Sequence, residues 1–293
     1  MKLHFPPGPG GEPVRVLPED AGWSYTALLV WRLEPGETRD LDTGELEWFA
    51  LPLSGSFVID VDGQAFELEG RASVFTRITD FAYLPREASA RVSSKRGGEL
   101  ALPGARCTRR LQPRYGAAHD VPVELRGAGR ASRQVANFGA PDAWPHAERL
   151  MAVELLTPPG NWSSYPPHRH DADVVDGVAC PAVNEEIYHF RIGGDHGFGF
   201  HRTYTADGAI DLTATVRDGD TYCVPRGFHG PCVASPDHPM YYLNVLAGPG
   251  ERRSMAFCDD PAHHWVRESW EAMATDPRCP MTGAGGIVSA SNH

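Results

Sequence analysis

The sequence predicts an all-β protein made of two barrels in tandem with few short helices. Three observations carry this expectation. Short alternating apolar runs between Gly, Pro and Asp turns dominate a chain of 293 residues that holds 31 Gly and 26 Pro, the pattern of sandwiches and barrels. Helical periodicity is confined to one short stretch, 261–273, containing Trp265 and Trp270. The two halves also read as degenerate copies of one unit. Glu47-Trp-Phe-Ala-Leu-Pro-Leu-Ser-Gly55 parallels Glu186-Ile-Tyr-His-Phe-Arg-Ile-Gly-Gly194, and Phe81-Ala-Tyr-Leu-Pro85-Arg86 parallels the segment from Val216 to Pro225-Arg226.

The length suits two domains. Residues 1–125 are expected to form a first barrel without metal ligands, and 126–275 a second, metal-binding barrel. Gly, Ser and Ala dominate beyond Pro277, so 276–293 is expected to be a flexible tail. In the first half, Asp62-Gly63 is the turn of a hairpin within 55–68. The stretch 114–139 joins the halves, and Arg133-Gln134-Val135 opens a strand. The second half offers Pro167-His168-Arg169-His170, then a loop from Asp171 to Glu185 expected at a barrel mouth. The alternation Glu186-Ile187-Tyr188-His189-Phe190 follows, then a segment from the turn Asp218-Gly219-Asp220 to His229, then the buried strand 240–246.

The chemistry concentrates in that second half. Side chains at i and i+2 of a strand share a face, so His168 and His170 aim two imidazoles at one point. Glu186 shares a face with Tyr188 and Phe190, which favours it over Glu185 as a third ligand. His229 supplies a fourth. Three imidazoles and a carboxylate make an open site for a divalent ion, Zn or Mn first, with Fe, Co or Ni as alternatives. The first half has no histidine between His4 and His119. With Pro85 placed on Pro225, Ser89 stands where His229 does, and only Glu47 survives of the ligand set.

Composition excludes several partners. The net charge of −11 argues against nucleic acid and acidic membrane surfaces. No apolar run approaches a membrane span, and the N-terminal stretch lacks a signal-peptide core. The cysteines, at 107, 180, 223, 232, 258 and 279, form no CxxC pair and read as reduced thiols of a cytoplasmic protein. Only Lys2 and Lys95 are lysines among 27 basic residues, so a substrate carboxylate would meet an arginine.

The spacing of His168, His170, Glu186, Gly193, Gly219, Pro225, Gly227 and His229 resembles the cupin signature, with the 171–185 insertion as the departure. Longer blocks are very similar to the bacterial 5-deoxy-glucuronate isomerases of myo-inositol catabolism. They include Gly160-Asn161-Trp162-Ser163-Ser164-Tyr165-Pro166-Pro167-His168-Arg169-His170-Asp171, Val224-Pro225-Arg226-Gly227-Phe228-His229-Gly230-Pro231 and Tyr241-Tyr242-Leu243-Asn244-Val245-Leu246. The first half matches in 102–106 and 121–129, so the resemblance covers about residues 1–270.

The resemblance implies a bicupin, two jelly-roll barrels in tandem, that converts 5-deoxy-D-glucuronate to 5-dehydro-2-deoxy-D-gluconate. The fold and the metal set are shared with the 5-keto-4-deoxyuronate isomerases of pectin breakdown. It implies His168, His170, Glu186 and His229 as metal ligands, a sugar-acid substrate and a homo-oligomer. Aldose–ketose isomerisation moves a proton from C2 to C1. Glu185, Tyr188 and Tyr242 are the leading candidates for proton transfer, with His189 and Tyr241 beside them. Arg133 and Arg202 are the leading carboxylate anchors, with Arg169 and Arg226 as alternatives. Two other classes stay open: an Fe(II) cupin dioxygenase, and a non-catalytic bicupin that binds a sugar.

Overall fold

The computed structural model describes residues 3–288. A nine-stranded sheet runs from Val14–Val16 to Arg114–Gly116 and forms the first unit. Sheets of seven and six strands form the second, and nearly all their strands lie between Val123 and Asp259. The exception is His4–Phe5, which pairs with Tyr222 and Thr221 in the second unit's sheet. The division expected at residue 125 also moves. The strand Val123–Arg126 pairs with Arg133–Ala136 and so joins the second unit. The first pairing has no local signal, because it links segments far apart in the chain, whereas the second is a hairpin closed across residues 127–132.

Strand alternation distributes the apolar residues among three cores. In Leu46–Val61, Trp48, Ala50 and Phe57 fill the first barrel, while Phe49, Leu51 and Leu53 face outward. In Glu185–Ile192 and Met240–Ala247, Tyr188, Phe190 and Tyr242 fill the second barrel. Ile187, Tyr241, Leu243 and Val245 point the other way and pack on the first unit's outward face. Burial of both faces explains why these strands read as continuous apolar runs. The shared core also takes a buried ion pair, Arg71 with Glu154, whose carboxylate accepts from the Tyr241 hydroxyl at 2.7 Å.

The Asp62-Gly63 hairpin forms as expected. Val61 faces Gln64 across the turn, and both turn residues have positive φ, 52° and 83°, the two-residue geometry that Asp-Gly favours. The helix is shorter than the 261–273 stretch: Trp265–Ser269, continued by one tight turn, Trp270–Ala272. The 171–185 insertion is not all loop. Val174–Val175 and Val178–Ala179 form a small hairpin around Asp176-Gly177, and Glu185 already begins the next strand.

The expected flexible tail is a packed segment as far as Val288. Thr282–Gly283 and Gly286–Ile287 pair, Cys279 and Thr282 are buried, and Gln134 bonds Thr282 through both ends of its amide. The rest of that segment, 289–293, lies outside the described residues. Among the described residues no helix is long and apolar enough to cross a membrane, and the cysteines are unbridged.

Candidate metal centre and active site

Three strands converge on one buried carboxylate. His168–Arg169 pairs with Phe228–Ala234 so that His168 faces His229 directly. Glu185–Ile192 enters from the opposite sheet with Glu186 on its inward face. The ligand atoms of His170, Glu186 and His229 all lie within 4.8 Å of one another, and all three residues are buried. His170 Nε2 is 2.8 Å from Glu186 Oε2, and His229 Nε2 is 2.9 Å from the same oxygen. His168 stands beside them, its ring centroid 4.5 Å from that of His229.

Each imidazole is oriented from behind. His170 Nδ1 contacts the Asn184 carbonyl at 2.9 Å, and His168 Nδ1 the Pro166 carbonyl at 3.2 Å. This leaves Nε2 as the inward atom of both, the arrangement that metal-binding histidines use. Burial works to raise the Glu186 carboxyl, but the charge of His229 and the bond from His170 outweigh it, so Glu186 is held ionised. Burial, with His229 close by, pushes His168 well below its ordinary value.

The residues fit a divalent cation on their own chemistry. His229 Nε2 is buried and has no aligned hydrogen-bond partner despite its closeness to Glu186. A set that converges on one carboxylate oxygen and leaves an inward imidazole nitrogen without a hydrogen bond is suited to a cation with nitrogen and oxygen ligands.

The cluster opens into a cavity of about 490 Å³. One wall is apolar, with Val153, Leu155, Leu246, Met255 and Phe257. Another carries the guanidinium groups of Arg126, Arg133 and Arg267. Arg126 is held by Glu124 and Arg267 by Asp259. Arg133 differs. It is 6% exposed, its Nε has no partner, Nη1 donates to the Ala131 carbonyl at 3.1 Å, and the guanidinium lies over the Trp270 ring. Burial pushes it down to about 10, with the charges of Arg126 and Arg267 adding to the effect.

The model of the KduI/IolB family matches residues 7–266. The chain belongs to that family. It is 39% identical over 265 residues to the 5-deoxy-glucuronate isomerase of Geobacillus thermodenitrificans, covering 90% of this chain and 94% of that one. The protein of the same name from Bacillus subtilis is 35% identical over 248 residues, covering 84% and 89%. An IolB-like protein from Salmonella typhimurium, of known crystal structure, superposes with a TM-score of 0.83 at 31% identity, over 91% of this chain and 100% of that one. The oxalate decarboxylase of Lactobacillus farciminis shares the fold, with a TM-score of 0.62 at 13% identity over 86% of this chain and 88% of that one. The architecture is the expected bicupin.

Within this KduI/IolB chain the expected site residues separate. His168, His170, Glu186 and Arg133 line the cavity, and His229 lies buried behind them. Tyr188 and Tyr242 are fully buried and do not line it. Both hydroxyls contact Ser164 Oγ, at 3.2 and 3.0 Å, and Ser164 does line it. Burial raises both phenols above their ordinary value.

Glu185 does not reach the cavity. It sits one residue off the inward face, and its carboxylate accepts from the backbone N–H groups of Ser24, Tyr25 and Thr26 in the first unit, at 2.7–2.8 Å. Tyr241 and His189 lie on that same outward register. Arg202 is absent too. It lies on the outer face of Gly199–Tyr204, paired with Asp211 at 3.1 Å and stacked on Tyr204. Arg169 is spent on the insertion, bonding Asp171 and the Asp173 and Val178 carbonyls, and Arg226 pairs with Asp173 and Asp207.

Three cavity residues carry no obvious sequence signal: Ser164, Arg126 and Arg267. A fourth, Asn244, had one, as the sole amide side chain inside the run Met-Tyr-Tyr-Leu-Asn-Val-Leu-Ala.

Proposed function

We propose that this protein is an aldose–ketose isomerase that converts 5-deoxy-D-glucuronate to 5-dehydro-2-deoxy-D-gluconate, with the second barrel's cavity as its active site. The observation that carries the reading is one cavity lined on one side by a buried His/Glu cluster and on another by a buried, unpaired arginine. A linear sugar acid has the two groups such a cavity would take: vicinal oxygens at C1 and C2, and a carboxylate at C6. The names of the relatives support the same substrate.

His168, His170, Glu186 and His229 would hold one divalent ion, and Zn or Mn suits that donor set. When bound, the ion supplies Lewis acidity toward adjacent substrate oxygens. Arg133 binds the C6 carboxylate. Its charge is desolvated before substrate arrives, so a carboxylate there gains a strong charge-assisted contact. Arg126 and Arg267 add to the field, although each is already matched by an acid.

Ser164, with Tyr188 and Tyr242 behind it, offers a hydrogen bond to a substrate oxygen. Burial keeps both phenols protonated, and their contacts at 3.2 and 3.0 Å orient Ser164. Through it they stabilise negative charge that develops on a substrate oxygen as the C2 proton moves to C1. The apolar wall excludes water that would compete for those contacts.

The test is incubation of metal-loaded protein with 5-deoxy-D-glucuronate under nitrogen, followed by proton NMR. Loss of the aldose signals and growth of a ketose bearing a CH₂OH group support the reading. No conversion with any divalent metal rejects it.

A further inference from the structure

We infer that Asn244 is a positioning residue that restricts Glu186 to one metal-facing oxygen. The inference rests on the metal reading above and names a residue through which that site is tuned.

Glu186 has two carboxylate oxygens with different surroundings. Oε2 faces His170 and His229, at 2.8 and 2.9 Å. Oε1 accepts from Asn244 Nδ2 at 2.6 Å. The bond is short and joins two buried side chains, so Oε1 is tied away from the histidines. The orientation of the amide follows from chemistry: an ionised carboxylate accepts only, so Asn244 must turn its NH₂ toward it.

That orientation has a cost. Asn244 Oδ1 is left buried with no partner, and Asn244 as a whole is 8% exposed. A buried acceptor without a donor is unfavourable. The neighbours offer no relief, because Val153 and Tyr188 are its cross-strand partners and the strand is otherwise apolar or aromatic. Asn244 also lines the cavity beside Glu186. What only Asn supplies here is a donor held at Oε1.

The consequence concerns coordination. Three imidazoles and one carboxylate oxygen leave two positions on a six-coordinate ion. Two positions are what an aldehyde and its neighbouring hydroxyl need. A carboxylate free to offer both oxygens would fill one of them. Asn244 thus preserves the second open position.

Mn(II) binding and water-proton relaxation test this without substrate. In the wild type, inner-sphere relaxivity should report two exchangeable waters per ion. In Asn244→Leu it should fall by about half, while the Kd for Mn(II) changes by less than about tenfold, in contrast to the 10–100-fold typical of partners that set affinity. Asn244→Val removes the same donor without adding a charge or a ligand, and its relaxivity should fall likewise should the Leu variant not fold. Unchanged relaxivity in a folded variant overturns the inference. So does a loss of Mn(II) affinity beyond about tenfold, which would make Asn244 a determinant of affinity. No substrate enters the measurement, so failure of the isomerase reading would be seen separately, by NMR.

Discussion

Glu47 and Glu185 make the same contact in opposite directions. Glu185 of the second unit accepts the backbone N–H groups of residues 24–26, just where Thr26–Leu33 begins. Glu47 of the first unit accepts those of residues 148–150, just before Met151–Thr157 begins. The registers agree, since Glu47 faces Ala105 and Glu185 faces Ala247 in equivalent strand pairs. The two units are thus clasped by a pseudo-symmetric pair of carboxylates, and Glu47 is the counterpart of Glu185. The residue in the place of Glu186 is Trp48, which faces Leu84 as Glu186 faces Val224. Matching Glu47 to Glu186 was therefore one residue out of register. In the first unit the place of Glu186 is thus taken by Trp48, which packs into that unit's interior.

The clasp predicts that Glu185→Ala is a stability variant. Loss of the acceptor leaves three N–H groups to find water, at a cost of about 2 kcal/mol and a fall in Tm of about 4–8 °C. Turnover per folded molecule should stay within about threefold of wild type, because the side chain points away from the cavity. Thermal unfolding with activity assays on the same samples would check this. A large fall in kcat at unchanged Tm would return Glu185 to the catalytic machinery.

His229→Ala should abolish tight binding of a divalent ion and leave the fold in place. The residue lies on a strand flanked by two others, and its ring contacts the rings of His168 and His170. Metal content by mass spectrometry and far-UV circular dichroism would read the two halves of this expectation. One ion per chain retained by the variant would contradict it.

Arg133→Ala should raise KM for the sugar acid by about 10–100-fold with a smaller change in kcat, the loss expected for one charge-assisted contact equal in ground and transition states. An analogue with a hydroxymethyl group in place of the carboxylate should be discriminated against by wild type and hardly at all by the variant. Equal discrimination by both would show that another group anchors the carboxylate.

Acid should destabilise the protein as pH falls from about 6.5 toward 3. Burial pushes His189 and His201 down to about 3 from an ordinary value of 6.5. Between those values the unfolded chain binds protons that the folded chain refuses, so stability is full above 6.5 and is lost as pH drops. His201 is packed against Tyr188 and Tyr222. A folded His201→Phe variant should therefore take up about one proton fewer on unfolding near pH 5. A Tm–pH slope identical to wild type would contradict this.

The legible parts of the site were those carried by local periodicity. His168 and His170 share a face through an i, i+2 spacing, and alternation with Tyr188 and Phe190 separates Glu186 from Glu185. What could not be read was set by register across the sheets. Arg126 and Arg267 meet Arg133 only because Val123–Arg126 adds to the second sheet and the Trp265–Ser269 helix docks beside it. Ser164 became visible as the group between the cavity and two tyrosines only once the barrel closed. Arg202 was misjudged because a strand's outer face reads like its inner one when both carry polar residues. The hairpin at Asp62-Gly63 and the buried strand ending at Ala247 were plain for the opposite reason, since turn chemistry and continuous burial are written in adjacent residues.

The most direct measurement is activity on 5-deoxy-D-glucuronate as metal is returned to chelator-stripped protein under nitrogen. The account predicts none at the start, a rise in proportion to bound ion, and saturation at one equivalent per chain. Full activity in the stripped protein, saturation only at two equivalents, or O₂ uptake with Fe(II) in place of isomerisation would contradict it.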